Sequence, residues 1–120
     1  MDVIEYFNYV TGQNRSTAKS GRGSSNVRWV RALIQKGYTP EEIKLMIDVK
    51  FYEWSDNPKM ARHLNPVTLF KRHGEEYIED AIHMRDNPKA AQALKESKGK
   101  KGYAVAGFGK SLKTFTPDSN

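Results

Sequence analysis

The sequence has 120 residues, no cysteine and a formal net charge of +6. A chain of this length is long enough for one domain with a modest core, and without cysteine it can form neither disulfides nor thiolate zinc sites. No apolar run approaches the roughly 20 residues of a membrane span. The acidic start at Asp2 and Glu5 differs from the basic start of a secretory signal. We therefore expect a soluble, cytoplasmic protein.

The positive charge is unevenly distributed. Residues 1–86 hold 13 Lys/Arg against 12 Asp/Glu, whereas residues 87–120 hold 7 against 2. This contrast divides the chain into a nearly neutral body, 1–86, and a basic tail, 87–120, whose Gly, Lys and isolated aromatic residues predict a partly disordered segment. Within the body, no acid lies between Glu5 and Glu41. Such a one-sign segment can attract phosphates, or it can be a solvated surface balanced by the acids of other helices.

Helical signals recur along the body. A helix from Asp2 to Val10 is expected to end at Gly12, and residues 13–25 form a loop without large apolar side chains. Further helices are expected at 27–36, 40–54, 66–72 and 75–85, with a short helical turn near 59–64 and a weaker helix after Pro88. The sequence thus predicts an all-α fold, a small bundle of roughly four to five helices with a flexible basic C-terminal tail.

The third helix is the most strongly marked. Thr39 can cap it, Pro40 suits its first position, and Glu42 can reach back to the N–H of Thr39. Two apolar arcs cover most of its circumference, and only a narrow strip with Lys44 and Asp48 is polar. A helix that is apolar nearly all round is usually buried by neighbours on two sides, so we expect it at the centre of the bundle.

Basic side chains in the loop, the second helix and the tail are candidates for contact with nucleic acid. Two arginines one turn apart in the second helix lie beside a basic loop, which suits contacts with phosphates; the alternative is a solvated face with ion pairs. In the tail, lysines alternate with aromatic residues, a pattern that binds single-stranded nucleic acid by stacking or docks on a protein partner. The predicted nucleic-acid-binding residues are Arg15, Lys19, Arg22, Arg28, Arg31, Lys98, Lys100 and Lys101.

The sequence offers no positive case for an enzyme. A Gly-Lys-Ser sequence ending at Ser111 resembles the end of a phosphate loop, but Ala104 replaces the first glycine of that pattern. The histidines His63, His73 and His83 do not have the spacing of zinc ligands. Paired acids fall at helix starts, where the helix dipole explains them. We expect a non-enzymatic protein without a cofactor or a bound metal.

Segments of the body resemble a known family. The most specific are GYTPEEIKLMIDVKFYEW, which ends at Trp54, and DNPKMARHLNPVTLF, which ends at Phe70. With the preceding VIEYFNYVTGQNR, they resemble the conserved phage C-terminal domain found in DnaD-like phage replisome organisers and replication initiators. Asn65 stands where that family usually has arginine, and residues 73–77 depart from its pattern. The resemblance covers residues 2–80 and leaves the tail outside.

The resemblance implies a role in phage DNA replication inside the host bacterial cell. Domains of this family usually follow an N-terminal winged-helix domain, which this chain lacks, so it resembles a free-standing version or a fragment. Family members recruit or control the host replicative helicase or its loader, are associated with DNA binding, and bring no catalytic residues. The expected partners are therefore the host replicative helicase or helicase loader and DNA, either single- or double-stranded.

The expected protein-binding surface is helical. It would use exposed apolar side chains near Met60, Leu64, Leu69 and Phe70, or the acidic outer face of the helix at 75–85. Two other functions stay open. One is a stand-alone DNA-binding accessory or regulatory module, and the other is a phage inhibitor of another host protein.

Overall fold

The computed structural model describes residues 1–98, with side chains up to Glu96, and the regular elements of this range are all helices. In chain order they are α1 (Val3–Thr11), α2 (Ser25–Gln35), α3 (Pro40–Trp54), α4 (Pro58–Ala61), the π-helix π1 (Val67–Arg72), α5 (Gly74–Asp86) and α6 (Pro88–Lys98). The all-α prediction is confirmed. Within the described range, the five longer predicted helices form, and so do the short helix α4, near the predicted turn at 59–64, and the predicted helix after Pro88, α6. The rest of the tail, 99–120, lies outside the described residues.

Two helices begin with capping boxes, and the sequence predicts the one at Thr39. Asp2 accepts a hydrogen bond from the N–H of Glu5 at 2.9 Å, and the Glu5 carboxylate accepts one from the N–H of Asp2 at 3.1 Å. Thr39 and Glu42 make the same reciprocal pair at 3.1 and 3.0 Å. Gly12 ends α1 with a φ of 74°, a left-handed conformation that glycine adopts without steric cost. These caps fix the ends of α1 and the start of α3.

α3 lies at the centre of the bundle, as predicted. It packs against α1 and α5, and its apolar residues Ile43, Met46 and Ile47 are fully buried. Asp48 is also buried, with 1% of its surface exposed, and its carboxylate accepts a 2.7 Å hydrogen bond from the Tyr6 hydroxyl of α1. The strip that the sequence marks as polar is therefore covered by α1 at Asp48.

The apolar side chains of π1 and of the turn before it belong to the interior. Leu64, Leu69 and Phe70 are 6, 0 and 3% exposed, and the Phe70 ring meets the Phe7 ring edge-on with 6.0 Å between centroids. The expectation that these three side chains form an exposed protein-binding surface is wrong, because π1 packs against α2 and α5. Met60 is partly exposed, and its role in protein binding stays a prediction.

A buried glycine lets α2, π1 and α5 approach one another closely. A Cβ atom at Gly74 would lie 3.1 Å from both terminal carbons of Leu33 and 3.3 Å from the carbonyl oxygen of Leu69. These separations are shorter than ordinary van der Waals contacts. Glycine at the first position of α5 therefore permits the close contact of the three helices. This contact positions the last residues of π1.

The helix after Pro88 packs more closely than the sequence suggests. α6 lies against α5, with Ala91 fully buried and Leu94 packed against the core. The small side chains of this segment can bury little apolar area, so the sequence predicted a weak helix. An alanine, however, allows two helices to approach closely. Among the residues described, none of the helices combines the length and apolar character needed to cross a membrane.

Candidate nucleic-acid interface

The predicted nucleic-acid-binding residues of the body fall into separate places. Arg15, in the loop between α1 and α2, lines an open basic cleft. Lys19 and Arg31 line a different groove, which is largely apolar. The structure therefore does not bring these three side chains together as one phosphate-binding surface.

Arg22 and Arg28 line neither the basic cleft nor this apolar groove. Arg22 is exposed in the α1–α2 loop. Arg28 is exposed on α2 and donates a hydrogen bond to a serine of its own helix. Lys98 is the last residue of α6, whereas Lys100 and Lys101 lie outside the described residues. Nucleic-acid binding by these residues stays a prediction.

The cleft that contains Arg15 is strongly basic. It lies where the α1–α2 loop and the start of α2 meet the segment from α4 to π1, and its volume is about 510 Å³. The residues that line this basic cleft are Arg15, Asn26, Arg62, His63, Asn65, Pro66, Val67, Thr68 and Arg72. These lining residues, all in the described part of the chain, include no Asp or Glu. Three arginines therefore line one opening, and its described lining holds no carboxylate.

Arg15 is held in position by its neighbours. The side-chain amide of Asn8 accepts from the Arg15 N–H at 2.8 Å and donates to the Arg15 carbonyl at 3.0 Å. Gln13 accepts from Arg15 Nε at 2.6 Å and donates to the carbonyl of Leu64 at 2.7 Å. These hydrogen bonds link the loop to the segment that carries the other two arginines. Among the described residues, these bonds use one nitrogen of the Arg15 guanidinium and leave its two terminal nitrogens for another acceptor.

Arg62 and Arg72 come from the two ends of the α4–π1 segment. Arg62 follows α4, and Arg72 is the last residue of π1. Asn65, between them, donates to the carbonyl of Arg62 and accepts from the N–H of Thr68, both at 2.9 Å. Asn65 thus fixes the turn that carries Arg62 into the helix that carries Arg72.

A second cleft adjoins the basic cleft at Arg72 and lies between α2 and the π1–α5 junction. Trp29 lines it, and the ammonium nitrogen of Lys71 lies 5.7 Å from the centroid of the Trp29 ring. Glu75 and Glu76 also line this second cleft. Its charge is therefore mixed, and the unneutralised positive charge is concentrated on the Arg15 side.

Acids of α5 are engaged by neighbouring elements. Glu75 pairs with Lys36 of α2. Glu79 accepts a 2.7 Å hydrogen bond from the Tyr38 hydroxyl, and this bond is the main reason that the pKa of Tyr38 is raised to about 12. Part of the acidic face that the sequence offers as a docking surface therefore makes contacts within the chain.

Guanidinium groups suit the basic cleft to phosphate oxygens. Arginine presents a planar set of donors that can bind a phosphate with two parallel hydrogen bonds, and it stays charged at all physiological pH values. Among residues 1–98, no group of three or more His, Asp and Glu side chains is placed to hold a metal ion. The chemistry that this arrangement supports is therefore the binding of an anion.

Sequence reasoning identified Arg15 but missed Arg62 and Arg72. A signal for them was present: the basic pairs Arg62-His63 and Lys71-Arg72 flank the proline-bounded turn in one of the most specific family segments. Both pairs also stand in an acid-free run, 57–74, which the charge pattern of the body did not single out. Only the folded turn brings them to Arg15.

The conserved phage C-terminus family (Phg_2220_C) matches residues 3–79. All three arginines of the basic cleft lie inside this range. Neither a curated protein nor a solved structure matches the chain. The family match spans more than half of the 120 residues, and the chain therefore belongs to the conserved phage C-terminus family.

Proposed function

We propose that the chain is a non-enzymatic phage DNA-replication protein that binds the DNA backbone in the basic cleft. The observation that carries the proposal is the convergence of Arg15, Arg62 and Arg72 on one opening without a lining carboxylate. Clustered cations release the counterions of DNA when they contact phosphates, and this release drives backbone binding.

The replication role and the protein partner rest on the resemblance of the body to DnaD-like phage replication proteins. On that basis, we propose that the chain binds the host replicative helicase or helicase loader and recruits or inhibits it, with DNA binding as an auxiliary activity. The DNA contact has a physical basis in the cleft itself. Positioned arginines lose less side-chain entropy when they bind than mobile ones do, and Arg15 is already held by Gln13.

We expect the double variant Arg62→Ala/Arg72→Ala to bind DNA about tenfold more weakly than the wild type at low salt. Each substitution removes one phosphate contact, so the slope of log affinity against log salt should become shallower by about 1 to 2. Fluorescence anisotropy with labelled single- and double-stranded oligonucleotides across a salt series measures both quantities. The slopes for the two strand types also give the preferred form of DNA.

The matched control is Arg28→Ala/Arg31→Ala, which removes the same charge from α2 at residues that do not line the basic cleft. We expect its affinity for DNA to fall by less than about threefold. Equal losses in the two double variants would show that net charge, and not the cleft, drives binding. If the wild type binds no DNA even at low salt, the DNA part of the proposal is wrong.

For the protein partner, we expect the purified chain to form a complex with the purified host replicative helicase or helicase loader, measured by analytical size exclusion and calorimetry. Arg62→Ala/Arg72→Ala should keep this complex because the substitutions affect a DNA contact. DNA binding without either complex would favour the stand-alone accessory or regulatory module. Binding of neither DNA, helicase nor loader would favour an inhibitor of another host protein.

A further inference from the structure

A largely apolar groove lies between the start of α1, one side of α2 and the start of α3, with a volume of about 630 Å³. Its floor includes Ile4 and Val30, which are buried, and its edges include Ile34, 41% exposed, and Met1, 68% exposed. The groove therefore joins the interior of the bundle to an exposed apolar rim. We call it the apolar groove.

Half of the well-exposed large apolar side chains in the described part of the chain border the apolar groove. Four large apolar residues are well exposed in the described part of the chain: Met1, Tyr9, Ile34 and Val67. Two of them, Met1 and Ile34, border the apolar groove. Apolar surface that is contiguous, and not scattered singly, marks a site of interaction.

The rim of the apolar groove is positively charged. Lys19 and Arg31 line it and are exposed, and Lys44 is fixed at its edge by a 2.6 Å hydrogen bond from Nζ to the carbonyl of Met1. Asp2 is the acid among the described lining residues, and its carboxylate is already used in the capping box of α1. The groove thus combines an apolar floor with a cationic rim.

We propose that the apolar groove docks an acidic amphipathic helix of another protein. Apolar side chains of such a helix, recurring at every third or fourth position, would fill the groove beside Ile34. Its flanking carboxylates would lie against Lys19 and Arg31, which gives electrostatic complementarity at the rim. These two cations, expected from the sequence to contact nucleic acid, are thereby assigned to a protein partner.

The charge of the rim argues against two other occupants. Residues 99–120 of this chain contain four lysines and one acid, so this segment would bring like charge to a cationic rim. A second copy in a symmetric dimer would place the same groove, with its own Lys19 and Arg31, opposite the first. An acidic helix of a different protein is the occupant that meets both the apolar floor and the cationic rim.

The test uses the full chain and two designed peptides of about 16 residues, long enough for a helix of several turns. Both carry leucine at i, i+3, i+4 and i+7, and the flanking positions are glutamate in one peptide and lysine in the other. Fluorescence anisotropy should show that the glutamate peptide binds about tenfold tighter or better. When the glutamate peptide is added to the isotope-labelled chain, the backbone amide chemical shifts that change should belong to α2 near Ile34.

Two charge-reversal variants separate the groove from general electrostatics. Lys19→Glu/Arg31→Glu should weaken binding of the glutamate peptide by about tenfold or more. Arg22→Glu/Arg28→Glu makes the same charge change in the same loop and the same helix, away from the groove, and should change the affinity by less than about threefold.

The proposal is overturned if the two peptides bind equally, if neither binds, or if both charge-reversal variants weaken binding to the same extent. It is also overturned if the chain self-associates in sedimentation and Ile34→Asp abolishes that association, because a second copy would then be the occupant. None of these outcomes affects the proposed DNA contact, since Lys19, Arg31 and Ile34 lie outside the basic cleft.

Discussion

Replacing Asp48 with asparagine is expected to stabilise the protein by about 2–4 kcal/mol at pH 8 and by close to nothing near pH 4. Asp48 is 1% exposed, on the side of α3 that α1 covers. Burial raises the pKa of its carboxyl from 3.8 to about 7, although the hydrogen bond from Tyr6 acts in the opposite direction. Asparagine keeps an acceptor for the Tyr6 hydroxyl and never carries the buried charge.

The sign follows from the protons bound in each state. Between pH 4 and pH 7 the folded protein holds a proton on Asp48 that the unfolded chain has released, since the folded pKa lies above the unfolded one. Stability from this group is therefore complete below pH 4 and is lost as the pH rises through 7, by at most about 1.4 kcal/mol for each pH unit. Above pH 7 the folded protein contains an ionised carboxylate in the interior, which asparagine avoids.

Urea unfolding of the wild type and Asp48→Asn at a series of pH values between 4 and 9 measures the difference directly. Other acids titrate in both proteins, so the difference between the two free energies of unfolding isolates Asp48. Asp80→Asn, which removes the same charge from an exposed position of α5, is the control for the loss of a carboxylate at the surface. A stability difference for Asp48→Asn that is flat with pH would show that Asp48 stays ionised in the folded protein.

The main elements of the fold could be predicted from the sequence because their signals are local. The capping boxes at Asp2 and Thr39 and the breaks at Gly12 and Pro58 act within a few residues of the chain. The apolar circumference of α3 correctly predicted its central place. The burial of Asp48 could not be predicted in this way, because a helical wheel identifies a face but not the helix that will cover it.

The basic cleft was less predictable because its parts are distant in sequence. Arg15 stands in one acid-free run, 6–40, and Arg62 and Arg72 stand in another, 57–74. Only the turn held by Asn65 and Gln13 brings the two runs together. The π-helix was also beyond sequence reasoning. An α-helical period was assumed for 66–72, and π-helices often occur at functional sites, here as the element that ends in Arg72.

α2 separates the two proposed surfaces. Asn26, in its first turn, lines the basic cleft, whereas Arg31 and Ile34 line the apolar groove. Arg28 lines neither of these two clefts. DNA binding by the predicted pair Arg28 and Arg31, both exposed on α2, stays a prediction. The basic cleft and the apolar groove share no lining residue, so the proposed DNA contact and the proposed protein contact can form without competing for the same side chains.

Removing the carboxylate of Glu53 is expected to destabilise the protein by about 2–3 kcal/mol, whereas replacing Lys50 with methionine should change its stability by less than about 1 kcal/mol. Lys50 is 7% exposed on α3, and its ammonium lies 3.0 Å from the Glu53 carboxylate. The ammonium also lies 4.3 Å from the centroid of the Tyr77 ring of α5 and 5.1 Å from that of Trp54. Glu53→Gln leaves the buried Lys50 ammonium without its carboxylate. This destabilises the folded protein far more than removing both charged groups does.

The changes in the free energy of unfolding of Glu53→Gln and Lys50→Met show whether the Lys50–Glu53 pair stabilises the fold or only neutralises a buried charge. Methionine fills much of the volume of the lysine stem and keeps contact with both rings. In Lys50→Met/Glu53→Gln the destabilisation should therefore be smaller than in Glu53→Gln alone, measured by urea unfolding. If Lys50→Met is instead the more damaging change, the ammonium–ring contacts themselves hold α3 to α5. The cation would then stabilise the packing of the central helix, and Glu53 would be secondary.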